Sequence, residues 1–106
     1  MGVSKPIERL KKKLGVETLW LFILAELRQK EKYPYALTNI IREKYGFNPG
    51  KVLPYTVLKT LEGEGYVKSY FDEKRRYYKI TEEGKKLFKE GLKYIEDTIR
   101  KMKTVR

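Results

Sequence analysis

Basic and hydroxyl side chains are concentrated in residues 51–76, and these side-chain types suit contact with nucleic acid. The predicted contact residues are Lys51, Tyr55, Thr56, Lys59, Thr60, Lys74, Arg75 and Arg76. A lysine can meet a guanine edge or a phosphate, and a threonine can bond a phosphate or touch a thymine methyl. A tyrosine hydroxyl can bond a phosphate, and cations in a turn can enter a minor groove or neutralise the backbone.

The net charge of the chain favours a polyanionic partner. Lys and Arg number 25 in 106 residues, against 14 Asp and Glu, so the formal net charge is +11. Such an excess favours nucleic acid first and an anionic membrane surface second. The alternative is a protein that uses its charge only for solubility.

The chain contains no Cys and no His. This composition excludes disulfides, thiolate nucleophiles, histidine-based catalysis and nearly all zinc sites. We therefore expect no enzyme, no metal and no cofactor. No apolar run approaches the roughly 18 residues that a membrane span needs, and the N-terminus lacks a signal-peptide pattern. A cytoplasmic protein without a membrane partner is the expectation.

The first residues predict a short amphipathic helix that begins after Pro6. Residues 1–15 are basic, and three apolar residues recur at spacings of three and four: Ile7, Leu10 and Leu14. This stripe either docks on another helix or belongs to a basic arm that lies along phosphates. Docking is favoured, because three apolar residues in register are unfavourable in water.

A second helix is predicted within residues 16–30. Residues 19–25 are apolar on all sides, which is typical of a helix buried in the core. Trp20 is expected to pack there, with its indole N–H bonded to an acceptor. The alternative role for Trp20 is to form the wall of a pocket at a dimer interface, where a small aromatic effector binds.

Two helices and a hairpin are predicted to position the basic residues. A helix with the stripe Leu37, Ile40, Ile41 and Tyr45 ends at Gly46, and a second helix lies within residues 51–65, with Pro54 in its first position. Residues 66–71 and 76–81 alternate like two antiparallel strands. The connecting residues 72–75 lack Gly, which predicts a loop of four or more residues. Two helices followed by a hairpin predict a winged helix-turn-helix.

A long final helix is predicted over residues 82–103, capped by Thr81. Apolar residues recur along it at spacings of four and three: Phe88, Leu92, Ile95, Ile99 and Met102. Such a seam is typical of helix pairing. The helix would span roughly 33 Å, which is longer than a small winged core needs. A homodimer joined along this seam is therefore expected.

The expected fold is mainly α, with a β-hairpin wing and a long C-terminal dimerisation helix. Residues 1–81 would form the winged DNA-binding part with its N-terminal helix, and residues 82–106 the dimerisation helix. The two parts would make a single compact domain.

Four segments resemble the PadR family of winged-helix transcriptional regulators: TLWLFILAEL, YPYAL, PYTVLKTLEGEGYV and RRYYKITEEG. The resemblance covers about residues 15–90. It implies a homodimer, joined through its C-terminal helix and N-terminal region, that binds a palindromic operator. It also implies a regulator that usually represses and is often released by a small ligand. By position, Tyr55 matches the tyrosine that begins the recognition helix, and Lys59 matches a basic residue on it.

The sequence departs from the family pattern in two places. YPYAL stands where the family usually has HGYEL, and VLPYTVL stands where it usually has GTLYPAL, with the proline two places earlier.

Two other functions compete with a sequence-specific regulator. A winged helix used as a protein-interaction module in a transcription assembly predicts an apolar or acidic outer face on residues 54–62. A sequence-independent architectural or RNA-binding protein predicts little preference among duplexes.

Overall fold

A computed structural model describes residues 2 and 4–105 of the chain. Its elements are α1 (Lys5–Leu14), a 3-10 turn (Val16–Thr18), α2 (Leu19–Leu27), α3 (Pro34–Tyr45), α4 (Leu53–Gly63), β1 (Val67–Asp72), β2 (Arg75–Ile80) and α5 (Glu82–Lys103). This order confirms the predicted helical fold with a hairpin wing. Residues 1, 3 and 106 lie outside the described residues, and residues 1 and 106 are the outer ends of the predicted ranges 1–81 and 82–106. Within the described part, no helix combines the length and apolarity that crossing a membrane requires.

Helix α2 forms the centre of the core. Its buried residues are Leu19, Leu21, Ile23, Leu24, Glu26 and Leu27. The helix packs against α3, α4, α5 and β2, which explains why its sequence is apolar on all sides. On its less buried side, the Phe22 ring meets the rings of Tyr45 and Phe47 edge-on, with centroids 4.8 and 5.0 Å apart.

Glu26 is a charged residue inside this core. Its carboxylate accepts hydrogen bonds from the Tyr45 hydroxyl at 2.6 Å and from the Lys44 ammonium at 3.0 Å. Burial raises the pKa of Glu26, but the hydrogen bonds from Tyr45 and Lys44 outweigh it, and the pKa lies below its usual value. The ionised carboxylate therefore joins α2 to the end of α3.

Helix α1 stands apart from the core. Its first turn is capped by Ser4, whose hydroxyl accepts a hydrogen bond from the Ile7 backbone N–H. None of its residues is buried, and Ile7, Leu10 and Leu14 each expose about half of their surface. The single chain therefore does not bury this stripe, and its docking on a helix of a second copy stays a prediction. The structure leaves the stripe open to a partner.

Helices α3 and α4 form the helix-turn-helix. Gly46 ends α3 with φ of 78°, the left-handed conformation expected at this cap. Helix α4 begins at Leu53, so Pro54 occupies its second position and not the predicted first one. No side chain caps its start, since Val52 has no suitable acceptor.

The hairpin turn is tighter than predicted. Strands β1 and β2 pair in antiparallel register from Val67 with Ile80 to Asp72 with Arg75, which leaves a loop of only Glu73 and Lys74. The predicted loop of four or more residues is wrong. Glu73 takes the turn with φ of 58°, a conformation that costs a non-glycine residue about 1–2 kcal/mol.

Helix α5 starts in direct contact with the hairpin. The Thr81 hydroxyl accepts a hydrogen bond from the Gly84 N–H and donates one to the Gly65 carbonyl, so the predicted cap is confirmed. A methyl group on Gly84 would overlap the Tyr66 carbonyl oxygen. This glycine therefore allows the first turn of α5 to lie directly on the chain entering β1.

The predicted seam of α5 divides into a covered and an open part. Phe88 exposes only 5% of its surface and belongs to the core of this chain, so its assignment to a dimer interface is corrected. Ile95 is partly buried against the same core. Towards the end of the helix the seam opens, since Ile99 is 47% and Met102 78% exposed.

Candidate nucleic-acid interface

The exposed side of α4 carries two stripes of residues. Tyr55 lines a cavity shared with the hairpin, and Lys59 lies one turn further along the same side. Thr56 and Thr60 line a different cavity, shared with Trp20. All four side chains are exposed, so the helix presents hydroxyl and basic groups to solvent as predicted.

The first cavity lies between the starts of α3 and α4 and the hairpin. It has a volume of about 320 Å³ and is lined by Tyr33, Pro34, Tyr35, Tyr55, Lys74, Arg75, Arg76 and Tyr78. Four tyrosines and three basic residues thus line one concave surface. This combination suits a phosphate backbone, because the cations neutralise charge while the hydroxyls donate hydrogen bonds.

Arg75 and Arg76 lie on opposite faces of the hairpin. The Arg75 guanidinium lies 4.4 Å from the Tyr33 ring centroid, and that of Arg76 lies 4.5 Å from the Phe71 ring centroid. Successive strand residues alternate between faces, so Arg76 shares its face with the buried Tyr78. Arg76 therefore lies on the inner face with Tyr78, whereas Tyr77 lies on the outer face with Arg75.

The outer face of the hairpin carries a row of three tyrosines. The Tyr70 and Tyr77 rings stack with centroids 5.7 Å apart, and the Tyr33 ring meets Tyr77 edge-on at 5.5 Å. Tyr33 reaches this row because Lys32 pairs with Tyr78 along the free edge of β2. The row fixes the ring on which Arg75 rests.

Tyr78 lies below the cavity on the inner face. Burial raises its pKa, and the carboxylate of Glu62 raises it further. The phenol therefore stays neutral near neutral pH and keeps its proton for hydrogen bonding.

The second cavity has a volume of about 420 Å³ and mainly apolar walls. It is lined by Trp20, Thr56, Val57, Thr60, Leu61, Glu64, Tyr66 and Leu87. Trp20 is partly buried and also packs on α5, where a methyl group on Gly91 would lie 3.1 Å from its ring. Packing in the core and forming part of a cavity wall are thus compatible roles for Trp20, and the position of this cavity at a dimer interface stays a prediction.

Three predicted contacts differ from expectation in detail. The Thr60 hydroxyl donates a 3.1 Å hydrogen bond to the Thr56 carbonyl, so its proton is used within α4. Lys51 and Lys59 are exposed but do not line either of the two cavities described above. The assignment of the eight residues to DNA contact stays a prediction.

Tyr35 lines the same surface but is not among the contact residues predicted from the sequence. It exposes 69% of its surface at the start of α3 and lines the cavity beside the hairpin. Its position off the apolar stripe of α3 was a usable signal, because an aromatic residue away from the core side of a helix is available for contact.

A family model, the transcriptional regulator PadR-like family, matches residues 23–90. The family is one of transcriptional regulators, which is not an enzyme class. No curated protein compared with the chain matches it.

Several solved structures are similar to the chain over most of its length. A transcriptional regulator from Clostridium thermocellum, Cth-833, has 32% identity and a TM-score of 0.74, covering 82% of this chain and 92% of its own. A PadR family transcriptional regulator from Eggerthella lenta has 25% identity and a TM-score of 0.75, covering 91% and 84%. The transcriptional regulator TA0346 from Thermoplasma acidophilum, named as putative, has 26% identity and a TM-score of 0.64, covering 82% and 90%. The winged helix-turn-helix described above is thus shared with these regulators, and the chain belongs to the PadR-like family of transcriptional regulators.

Proposed function

We propose that the chain is a cytoplasmic repressor that binds a palindromic DNA operator as a homodimer. The observation that carries this proposal is the cavity in which Tyr35 and Tyr55 meet the hairpin cations Lys74, Arg75 and Arg76. A helix start and a basic hairpin that share one concave surface fit the duplex backbone and the groove beside it.

In this proposal α4 enters the major groove. Lys59 meets a guanine edge or a phosphate, and the Thr56 hydroxyl bonds a phosphate or its methyl touches a thymine. Tyr55 and Lys51, at the entrance of the helix, bond phosphates. Lys74 at the tip of the hairpin enters the minor groove or neutralises its edge.

The dimer would form through the apolar surfaces that the single chain leaves open. These are the stripe of α1, with Ile7, Leu10 and Leu14, and the outer seam of α5, with Leu92, Ile99 and Met102. Exposed apolar surfaces on two amphipathic helices favour a partner. A two-fold arrangement would place the two copies of α4 in successive major grooves, about 34–36 Å apart. The division into a winged part, residues 1–81, and a dimerisation helix, residues 82–106, belongs to this proposal.

The Trp20 cavity would hold a planar aromatic effector. Trp20 and Tyr66 provide aromatic walls, and Leu61 and Leu87 provide apolar surface. Thr56 and Thr60 belong both to this cavity and to the predicted reading face of α4. A ligand seated there would contact the helix that reads DNA, which offers a direct route to release from the operator.

Selection of bound duplexes from random DNA at physiological salt tests the proposal. A sequence-specific dimer enriches one motif with two inverted half-sites. An architectural protein binds without enrichment, and a protein-interaction module retains no duplex above background. The exposed Tyr55, Thr56, Lys59 and Thr60 argue against the interaction module, because that side of α4 is neither apolar nor acidic.

A further inference from the structure

A chain of hydrogen bonds joins the hairpin to α4. Arg76 Nη1 donates to Ser69 Oγ at 2.9 Å, and Ser69 Oγ donates to Glu62 Oε2 at 2.5 Å. Glu62 lies in the last turns of α4, Ser69 in β1 and Arg76 in β2. These two hydrogen bonds therefore link the predicted reading helix to both strands of the wing.

We infer that Ser69 and Glu62 are positioning residues that hold Arg76 in the orientation in which it contacts DNA. The inference rests on the proposed function. It gives two residues that have no predicted DNA contact a part in the affinity of the wing for DNA. Neither Ser69 nor Glu62 needs to touch the duplex for this role.

The donors and acceptors of the three groups fit a series of hydrogen bonds that runs from Arg76 through Ser69 to Glu62. A serine hydroxyl has one proton and two acceptor lone pairs, so donation to the Glu62 carboxylate leaves a lone pair for Arg76. Both bonds involve an ionised group, and such bonds are stronger than neutral ones. The guanidinium has five N–H donors, so one bond to Ser69 leaves the others for a phosphate or a base edge.

Phe71 restricts the same side chain from a second direction. The Arg76 guanidinium lies 4.5 Å from the Phe71 ring centroid, although Phe71 itself is 65% exposed. An arginine fixed by one hydrogen bond and one ring loses less conformational freedom when it binds DNA. Arg75 lies over the ring of Tyr33, on the other face of the hairpin, and takes no part in this hydrogen-bond chain.

A double-mutant cycle on the selected duplex tests the inference. Ser69→Ala removes the link and should weaken binding about threefold to tenfold, the equivalent of one net hydrogen bond. In the Arg76→Ala background the same change should have no effect, because no side chain remains to be positioned. Ser69→Thr keeps the hydroxyl in a residue that suits a strand, and it should restore binding.

Two further variants keep the outcome unambiguous. Glu62→Gln removes a negative charge, which favours DNA binding equally with and without Arg76. Relative to that common gain, it should weaken binding only when Arg76 is present. Lys79→Ala removes one positive charge from the outer face and should give the same loss in both backgrounds. Urea unfolding of every variant checks that stability is unchanged.

The results separate failure of the inference from failure of the proposed function. If Ser69→Ala binds like the wild type, or weakens binding equally with and without Arg76, the positioning role is overturned while the regulator stands. If the wild type itself shows no preference among duplexes, the proposed function fails first.

Discussion

The Tyr45 hydroxyl donates a 2.6 Å hydrogen bond to the buried Glu26 carboxylate and so attaches the end of α3 to the core helix α2. Tyr45→Phe removes this bond and should lower the free energy of unfolding by about 1–3 kcal/mol, because the carboxylate loses a partner in the core. Urea unfolding at neutral pH measures the loss. Tyr94→Phe, at an exposed position on α5, is the matched control and should leave stability unchanged. Equal stability of Tyr45→Phe and the wild type would contradict this role.

Acid should destabilise the protein in part through Glu26. Its pKa in the folded chain is lowered, so the unfolded chain binds a proton more readily. The stability that this carboxylate contributes is therefore complete above the usual carboxyl pKa of about 4.3 and is lost as the pH falls through the lower folded value. Urea unfolding of the wild type and Glu26→Gln, compared from neutral pH down to about pH 3, measures the difference. If the free energy of unfolding of Glu26→Gln fell as steeply with decreasing pH as that of the wild type, this contribution would be excluded.

Removing two cations from the proposed reading surface should weaken DNA binding. Lys59→Ala combined with Arg75→Ala should reduce affinity well over tenfold at physiological salt, because a major-groove cation and a wing cation are both lost. Fluorescence anisotropy with the selected duplex measures it. Lys89→Ala with Lys101→Ala removes the same charge from α5 and should have a smaller effect. Equal losses in the two double variants would refute the assigned surface.

The salt dependence of binding should report the number of phosphates contacted. A dimer that contacts about 6–10 phosphates loses roughly 10³–10⁵ in affinity between 50 and 200 mM salt. Arg75→Ala should make the plot of log affinity against log salt shallower. The slope should stay unchanged if Arg75 does not approach the backbone.

The open part of the α5 seam should hold the dimer together. Ile99→Asp places a charge on this surface and should produce monomers, as measured by light scattering. Ile99 is a sharper probe than Ile95, because Ile95 also packs against the core of its own chain. Lys101→Asp, on the other side of the helix, should keep the mass of the wild type. An unaltered dimer mass for Ile99→Asp would rule out the seam.

Trp20 should report effector binding through its fluorescence. A planar aromatic compound that enters the cavity lies against the indole and should change its emission, and the selected duplex should compete with that compound through Thr56 and Thr60. Titration of a panel of such compounds, with Trp20→Phe as the control for inner-filter effects, measures the change. A flat response across the panel would leave Trp20 as a core residue only.

Helices and strands were predictable where the residue pattern that defines them lies within one segment of the sequence. The spacing of apolar residues and the Thr81 cap define α5, and the uninterrupted apolar run defines α2, because each pattern is contained in one segment. The face of Arg76 was also readable, since the two-residue period of a strand pairs it with Tyr78. The tight turn at Glu73 was not, because strand pairing compensates for a backbone conformation that glycine usually adopts.

The partners of a side chain were less predictable than its position. Periodicity places Phe88 on the seam, but it does not tell whether the same chain or a second copy covers it. Glu26 stands alone in an apolar run, and its partners Lys44 and Tyr45 lie 18 and 19 residues away, where no local pattern connects them. The cavity beside the hairpin likewise depends on Tyr35, which belongs to a different helix from the predicted contacts.

The absence of a side chain at Gly84 brings the first turn of α5 directly against the Tyr66 carbonyl, at the entrance to β1. A change in the angle of this helix should therefore be passed on to the hairpin. A helix of 22 residues spans roughly 33 Å, so a tilt of about 10° displaces one end from the other by roughly 6 Å. That displacement approaches two base-pair steps of about 3.4 Å each. In the proposed dimer, a small change in the angle at which the two copies of α5 meet would therefore determine whether both wings can contact the same duplex at once.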